Sequence, residues 1–116
     1  MVSDRSPTLN RVFHALAHPA RREMLRQLAG NERNLTELAA PLRMSFPAAS
    51  KHVRVLERAK LVRRRVVGRS HLCRIEGQAL TEAEVWLEHF RKTWESRFER
   101  LDELLETLKA DDKRKN

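Results

Sequence analysis

The last third of the chain contains neither glycine nor proline from Leu80 onward, a composition typical of one long helix. Along it, Leu87, Trp94, Leu101 and Leu108 recur every seven residues. Other apolar residues widen the stripe, which Arg97 interrupts. A helix that is apolar along one face must bury that face. We therefore predict a C-terminal dimerisation helix over residues 78–110, with an interface formed by Leu87, Phe90, Trp94, Phe98, Leu101, Leu104, Leu105 and Leu108.

Two shorter helices are predicted at the start of the chain. Apolar residues recur at helical spacing over Thr8–Ala17, with Thr8 as the N-cap. The His18-Pro19 pair ends this helix, because the residue before a proline is pushed out of the helical region. Pro19 suits the first turn of a second helix that ends at Gly30.

The middle of the chain predicts a helix, a tight turn, a second helix and a hairpin. The first helix spans Thr36–Leu42 with Thr36 as a possible N-cap, although Pro41 fits it poorly. The second begins after Ser45, its N-cap candidate, and runs to about Lys60. Two arginine-rich, β-branched runs then flank Gly68-Arg69, a pattern typical of a hairpin. This order predicts a mainly α fold with a small β-hairpin wing, a winged helix-turn-helix over residues 8–76. It forms one integrated domain with the C-terminal helix, and residues 1–7 and 111–116 are predicted to be frayed tails.

The charge of the chain is uneven. Residues 1–75 contain 16 basic and 5 acidic residues, whereas residues 76–116 contain 8 basic and 11 acidic residues. A basic front segment indicates a polyanion as partner, and DNA, RNA and anionic lipid all satisfy that condition.

Length and composition restrict the class of protein. A chain of 116 residues is sufficient for one modest core. No apolar stretch is long enough to span a bilayer, and the N-terminal residues lack the apolar core of a signal peptide. One cysteine, Cys73, forms no internal disulfide, which fits a reducing compartment. These features predict a cytoplasmic protein.

The predicted DNA contacts lie on the outer face of the Ser45–Lys60 helix and on the wing. Small side chains at the start of a recognition helix allow close approach to the major groove, and basic side chains reach guanine edges or phosphates. A wing-tip arginine enters the minor groove or holds phosphates. The candidate DNA-binding residues are Ser45, Phe46, Pro47, Ala48, Ser50, Lys51, His52, Arg54, Arg64, Arg69 and Ser70.

Several of these segments resemble the ArsR/SmtB family of bacterial repressors. The resemblance rests on Leu35–Ala39, Ser45–Ala59, Leu61-Val62 and Gly68-Arg69, and on the Leu16–Arg22 junction. It covers roughly residues 9–76. It implies a homodimer that binds an inverted-repeat operator in double-stranded DNA, usually to repress a gene under its own control.

Phe46 departs from that family, in which a polar residue, commonly glutamine, often occupies this position. The sequence leaves two roles open for Phe46: contact with a thymine methyl group, or packing within the protein.

Metal sensing is the property for which the family is best known, and the sequence argues against it. Thiolate sensors carry paired cysteines on the helix before the recognition helix, where Leu35–Ala39 contains none. On the C-terminal helix, His89 is followed three residues later by Lys92, which is no ligand while protonated. We therefore predict no metal and no cofactor, with a metal-responsive repressor using atypical ligands as an alternative.

Other functions fit this sequence less well than that of a repressor. The aromatic cluster Trp86/Phe90/Trp94 fits a dimer interface better than an effector pocket, and an effector of unknown chemistry remains open. A non-specific architectural nucleic-acid-binding protein would share the basic surface. No nucleophile–base set or phosphate loop indicates an enzyme.

Overall fold

A computed structural model describes residues 6–115 of the chain, and side-chain surroundings up to residue 113. Five helices and three short strands follow one another in the order α1 (Pro7–Leu16), α2 (Pro19–Leu28), β1 (Arg33–Asn34), α3 (Leu35–Ala39), α4 (Phe46–Arg58), β2 (Val62–Val67), β3 (Ser70–Ile75) and α5 (Gln78–Lys115). The predicted fold class is confirmed, because helices dominate and the only sheet in this part of the chain is small.

The first two helices begin as their prolines require, but the predicted N-cap of α1 is wrong. Ser6 caps α1, its hydroxyl accepting a hydrogen bond from the Leu9 amide at 3.2 Å, so that Thr8 lies inside the helix. His18 caps α2, with Nδ1 accepting from the Ala20 amide at 3.1 Å. In both helices proline occupies the first turn, where no intrahelical donor is needed.

The helix-turn-helix consists of α3, a 3-10 turn at Ala40–Leu42 and α4. The predicted N-cap Thr36 is wrong: Asn34 caps α3 and forms a capping box with Glu37. Pro41 falls in the 3-10 turn and not in the α-helix, which removes the conflict that the sequence presented. Arg43 then adopts a left-handed conformation with φ of 51° and reverses the chain toward α4. Ser45 caps α4 as predicted.

The wing is a two-stranded antiparallel hairpin to which β1 adds a third, two-residue strand on the β3 edge. Val67 pairs with Ser70 across the turn, and Gly68 adopts φ of 61° at the first central position. A positive φ at this position belongs to the tight hairpin turns that match strand twist, and glycine adopts it without steric cost. Strand β1 was not predicted, because a strand of two residues is too short to show an alternation of apolar and polar residues.

The core of residues 6–83 lies between the helices and the sheet. Its largest fully buried side chains are Met24, Leu28, Leu35, Leu38, Leu56 and Leu61. Val53 and Leu56 of α4 are fully buried, so this helix has one face fixed in the core and the opposite face directed outward.

The chain divides into two compact units between Ala83 and Glu84. The second unit is the continuation of α5, which remains helical through Lys115, beyond residue 110 where the sequence analysis ended it. Of the tail predicted over residues 1–7, Ser6 caps α1 and Pro7 begins it, whereas residues 1–5 lie outside the described residues, as does residue 116. None of the described helices combines the length and apolar character needed to cross a bilayer.

Candidate nucleic-acid interface

The outer face of α4 presents the residues that the sequence analysis selected. Ser45, Phe46, Pro47, Lys51 and Arg54 are exposed, and Ala48, Ser50 and His52 are partly buried. Ser45 uses its hydroxyl oxygen to accept from the Ala48 amide at 3.3 Å. Small and polar side chains therefore surround the start of α4, where a recognition helix approaches base edges.

Exposed cations accompany this face. Lys51 and Arg54 on α4 and Arg69 in the wing turn are exposed, and the ion pairs described for residues 6–115 include none of the three. Ser70, next to Arg69, is exposed as well. Cationic side chains with no carboxylate partner are available for phosphates.

Arg64 occupies a different environment from the other predicted contacts, because its side chain is only 13% exposed. Nη2 and Nε donate to one carboxylate oxygen of Glu57 at 2.7 and 3.1 Å, and Nη1 donates to the Ser50 hydroxyl at 3.2 Å. Both partners belong to α4, whereas Arg64 belongs to β2. Arg64 thus connects the wing to the recognition helix, and its guanidinium is occupied by protein acceptors.

The sequence pattern did not identify Glu57 or His71 as part of this surface. His71 on β3 lies with Nδ1 3.4 Å from Arg64 Nη1, and its ring meets Phe46 edge-on at a centroid separation of 5.5 Å. The antiparallel pairing of β2 and β3 places His71 near Arg64, and the packing of α4 against the hairpin brings Phe46 and Glu57 to them. Phe46, His71, Arg64 and Glu57 form a continuous seam between α4 and the wing.

The neighbours of Arg64 point to the other face of the strand, as alternation predicts. Arg63 pairs with Glu76 at 2.7 Å, and Arg65 pairs with Glu32 at 3.0 Å. The three consecutive arginines thus have three different carboxylate partners.

Arg21 is the one charged side chain that is buried in the described part of the chain, at 8% exposure. It donates to the carbonyl oxygens of Ala15 at 2.7 Å and His14 at 3.1 Å, in the last turn of α1. Its Nη1 also lies 3.2 Å from Nδ1 of His52 on α4. Arg21 thereby supplies donors to two carbonyl oxygens at the end of α1, of which that of His14 also accepts from the Ala17 amide at 3.2 Å, and it ties three helices together.

His52 lies against this buried guanidinium. Its ring packs on His18 with centroids 4.5 Å apart. Burial lowers the pKa of His52, and the positive charge of Arg21 and the neighbouring His18 lower it further. A neutral His52 accepts from Arg21 through Nδ1 and keeps its proton on Nε2.

Within residues 6–115, no three His, Cys, Asp or Glu side chains converge in a way that suits a metal ion.

Cys73 is fully buried on β3, where it faces Arg64 across the strand pair. Burial raises the pKa of its thiol to about 11. The thiolate is the reactive species, and at pH 8 only about one thiol in a thousand is ionised at this pKa.

We expect Cys73 in the native protein to resist alkylation by iodoacetamide at pH 8, and to react at the rate of a free thiol in denaturant. Mass spectrometry over time measures both rates. The matched control is Ser70→Cys with Cys73→Ala, which moves the thiol to the exposed start of β3. Equal native rates for the two proteins would contradict the assignment.

The predicted dimer residues of α5 all lie exposed on one side of the helix within this chain. The exposures of Phe90, Trp94, Leu101, Leu104 and Leu108 range from 39% to 55%. Aromatic rings four residues apart touch one another, with centroid distances of 5.8 Å for Phe90–Trp94 and 5.7 Å for Trp94–Phe98. The Arg97 guanidinium covers the Trp94 ring at 5.5 Å. A surface of this apolar content needs a partner in water.

Known proteins resemble the chain over most of its length. A family model described as a helix-turn-helix domain matches residues 16–65. The HTH-type transcriptional regulator Rv2034 of Mycobacterium tuberculosis is 34% identical over 90 residues, which are 78% of this chain and 82% of that protein. A crystal structure of an ArsR family transcriptional regulator is 38% identical, with a TM-score of 0.72, and the match covers 77% of this chain and 92% of that one.

A third relative carries information on assembly. The homodimeric winged helix-turn-helix DNA-binding domain of Mb0332 from Mycobacterium bovis is 30% identical, with a TM-score of 0.58, over 74% of this chain and 82% of that one. The resemblance noted in the sequence is confirmed by these matches. The chain belongs to the ArsR family of helix-turn-helix transcriptional regulators.

Proposed function

We propose that the protein is a dimeric repressor that binds an inverted-repeat operator in double-stranded DNA through α4 and the wing. The observation that carries this proposal is the exposed, unpaired cationic set Lys51, Arg54 and Arg69 beside the small residues at the start of α4. In this proposal the exposed cations contact phosphates, and the residues in the first turns of α4 contact base edges.

A second copy of the chain is the partner proposed for α5. The exposed apolar stripe of this helix supports the proposal, and so does the homodimeric state of the Mb0332 domain. Two recognition helices related by a twofold axis contact half-sites about one turn of DNA apart, which is why an inverted repeat is the expected operator.

Replacing Lys51 and Arg69 with alanine should lower operator affinity by at least about 100-fold at fixed salt, because a dimer loses four cationic contacts. The slope of log affinity against log salt should also become less negative by up to about 4. Fluorescence anisotropy with the protein's own promoter fragment, repeated at several salt concentrations and with excess random competitor DNA, measures both quantities.

The matched control removes the same charge elsewhere. Arg26 is exposed on α2, where it pairs with Glu23, and Arg74 is exposed on β3, so Arg26→Ala with Arg74→Ala should retain operator affinity within about threefold. Equal losses in the two double variants would refute a defined interface. Loss of the wild-type complex to random competitor would instead indicate an architectural protein.

A further inference from the structure

We infer that Phe46 contacts the C5-methyl group of a thymine in the operator, and that His71 holds it in position. This inference rests on the proposed function, since it names the base group that the proposed interface contacts. Phe46 is the first residue of α4 and is 45% exposed. The phenyl ring of Phe46 carries no hydrogen-bond donor or acceptor, so it cannot recognise a base through the donors and acceptors on the base edge.

The contacts of Phe46 argue against internal packing as its role. Its one described ring contact is the edge of His71, at 5.5 Å and an interplanar angle of 74°, and nearly half of the side chain stays exposed. By contrast, the core residues of the same helix, Ala49, Val53 and Leu56, are fully buried. Phe46 is therefore directed away from the core and supported on one side only.

His71, which supports the Phe46 ring, is itself held in place by its neighbours. His71 lies beside Arg64, and Arg64 is bound to the Glu57 carboxylate and the Ser50 hydroxyl of α4. A ring held by this seam keeps one orientation, which reduces the side-chain entropy lost when DNA binds. His71 is accordingly a positioning residue for Phe46.

The major groove displays one apolar group on its base edges, the thymine methyl, and phenylalanine is among the residues that pack on it. Lys51 lies about one and a half turns further along α4 and is exposed. A cation at that place anchors the helix to the backbone or to a guanine, while the ring at the helix start meets the methyl group.

The test removes the methyl group from DNA and the ring from the protein. A duplex selected by the wild-type protein from a randomised pool serves as the operator, and each thymine is replaced in turn by deoxyuridine at both symmetric positions. Removing one buried methyl group lowers affinity about fourfold per half-site, so about 15-fold per dimer. We expect one symmetric thymine pair to show this loss with the wild-type protein.

Phe46→Ala should abolish the thymine–uracil difference at that pair, so that both duplexes bind equally. Phe46→Leu should retain part of it, because an apolar side chain remains. His71→Ala should reduce the difference while binding persists. Lys51→Ala serves as the comparison: it should weaken both duplexes by the same factor and leave their ratio intact. Circular dichroism checks that each variant is folded.

An unchanged thymine–uracil ratio in Phe46→Ala would overturn the inference, and so would a selected operator that is indifferent to every deoxyuridine replacement. Both outcomes leave the repressor proposal standing, since specific binding has then been observed. Failure of the wild-type protein to enrich any duplex would overturn the repressor proposal together with this inference.

Discussion

A charge placed in the apolar stripe of α5 is expected to convert the protein to a monomer and to lower operator affinity by at least about 100-fold. The variant is Trp94→Glu with Leu101→Glu, two positions seven residues apart that are 39% and 49% exposed in the single chain. In the proposed dimer these side chains are buried, and an unpaired carboxylate there costs several kcal/mol. In a dimer, binding of one DNA-binding unit raises the effective concentration of the other at its half-site, which increases affinity by about 100- to 10,000-fold. Separated monomers lose this gain.

Sedimentation equilibrium measures the first effect, as a change from twice 13.6 kDa to 13.6 kDa. The matched control is Ser96→Glu with Thr107→Glu, which adds the same charges on the opposite side of the helix and should leave the mass doubled. Circular dichroism distinguishes a folded monomer from an unfolded chain. A folded Trp94→Glu/Leu101→Glu protein that still sediments as a dimer would exclude this stripe as the interface.

The second large effect concerns stability. Arg21→Met is expected to lower the free energy of unfolding by about 3 kcal/mol, because the buried Ala15 carbonyl oxygen and the partly buried His52 Nδ1 lose the guanidinium as their partner. The His14 carbonyl oxygen loses it as well but keeps the Ala17 amide. Methionine keeps most of the side-chain volume, so loss of the guanidinium is the main change. Urea unfolding followed by circular dichroism at a fixed protein concentration measures it.

The adjacent arginine provides a close control. Arg22 also donates to a carbonyl of α1, that of Leu16 at 2.8 Å, but it is exposed, so water replaces it in Arg22→Met. That variant should lose less than about 1 kcal/mol. Equal losses for Arg21→Met and Arg22→Met would show that burial of the Arg21 guanidinium adds nothing.

Much of the fold could be predicted from the sequence because its signals are local. Pro19 marks the start of α2, Ser45 caps α4, and Gly68 sets the hairpin turn. The errors are local as well. Several polar residues near a helix start compete for the cap, and geometry selects Ser6 over Thr8 and Asn34 over Thr36.

The candidate site was less accessible to sequence reasoning, because its contacts depend on which elements meet. Alternation along a strand separates Arg64 from Arg63 and Arg65, yet it does not show that α4 supplies Glu57 and Ser50 as the acceptors of Arg64. The burial of Arg21 could not be predicted from the sequence either, because two of its acceptors are main-chain carbonyl oxygens, which every residue has.

The link between wing and recognition helix has a consequence for redesign of operator preference. Ser50 faces the proposed DNA surface and also accepts a hydrogen bond from Arg64. A substitution chosen at Ser50 for a new base therefore also disturbs an anchor of the hairpin. For the proposed interface we therefore expect that grafting the outer residues of one helix alone does not exchange specificity. Ser50, Glu57, Arg64 and His71 should be transferred as a group, with Phe46 chosen to suit them.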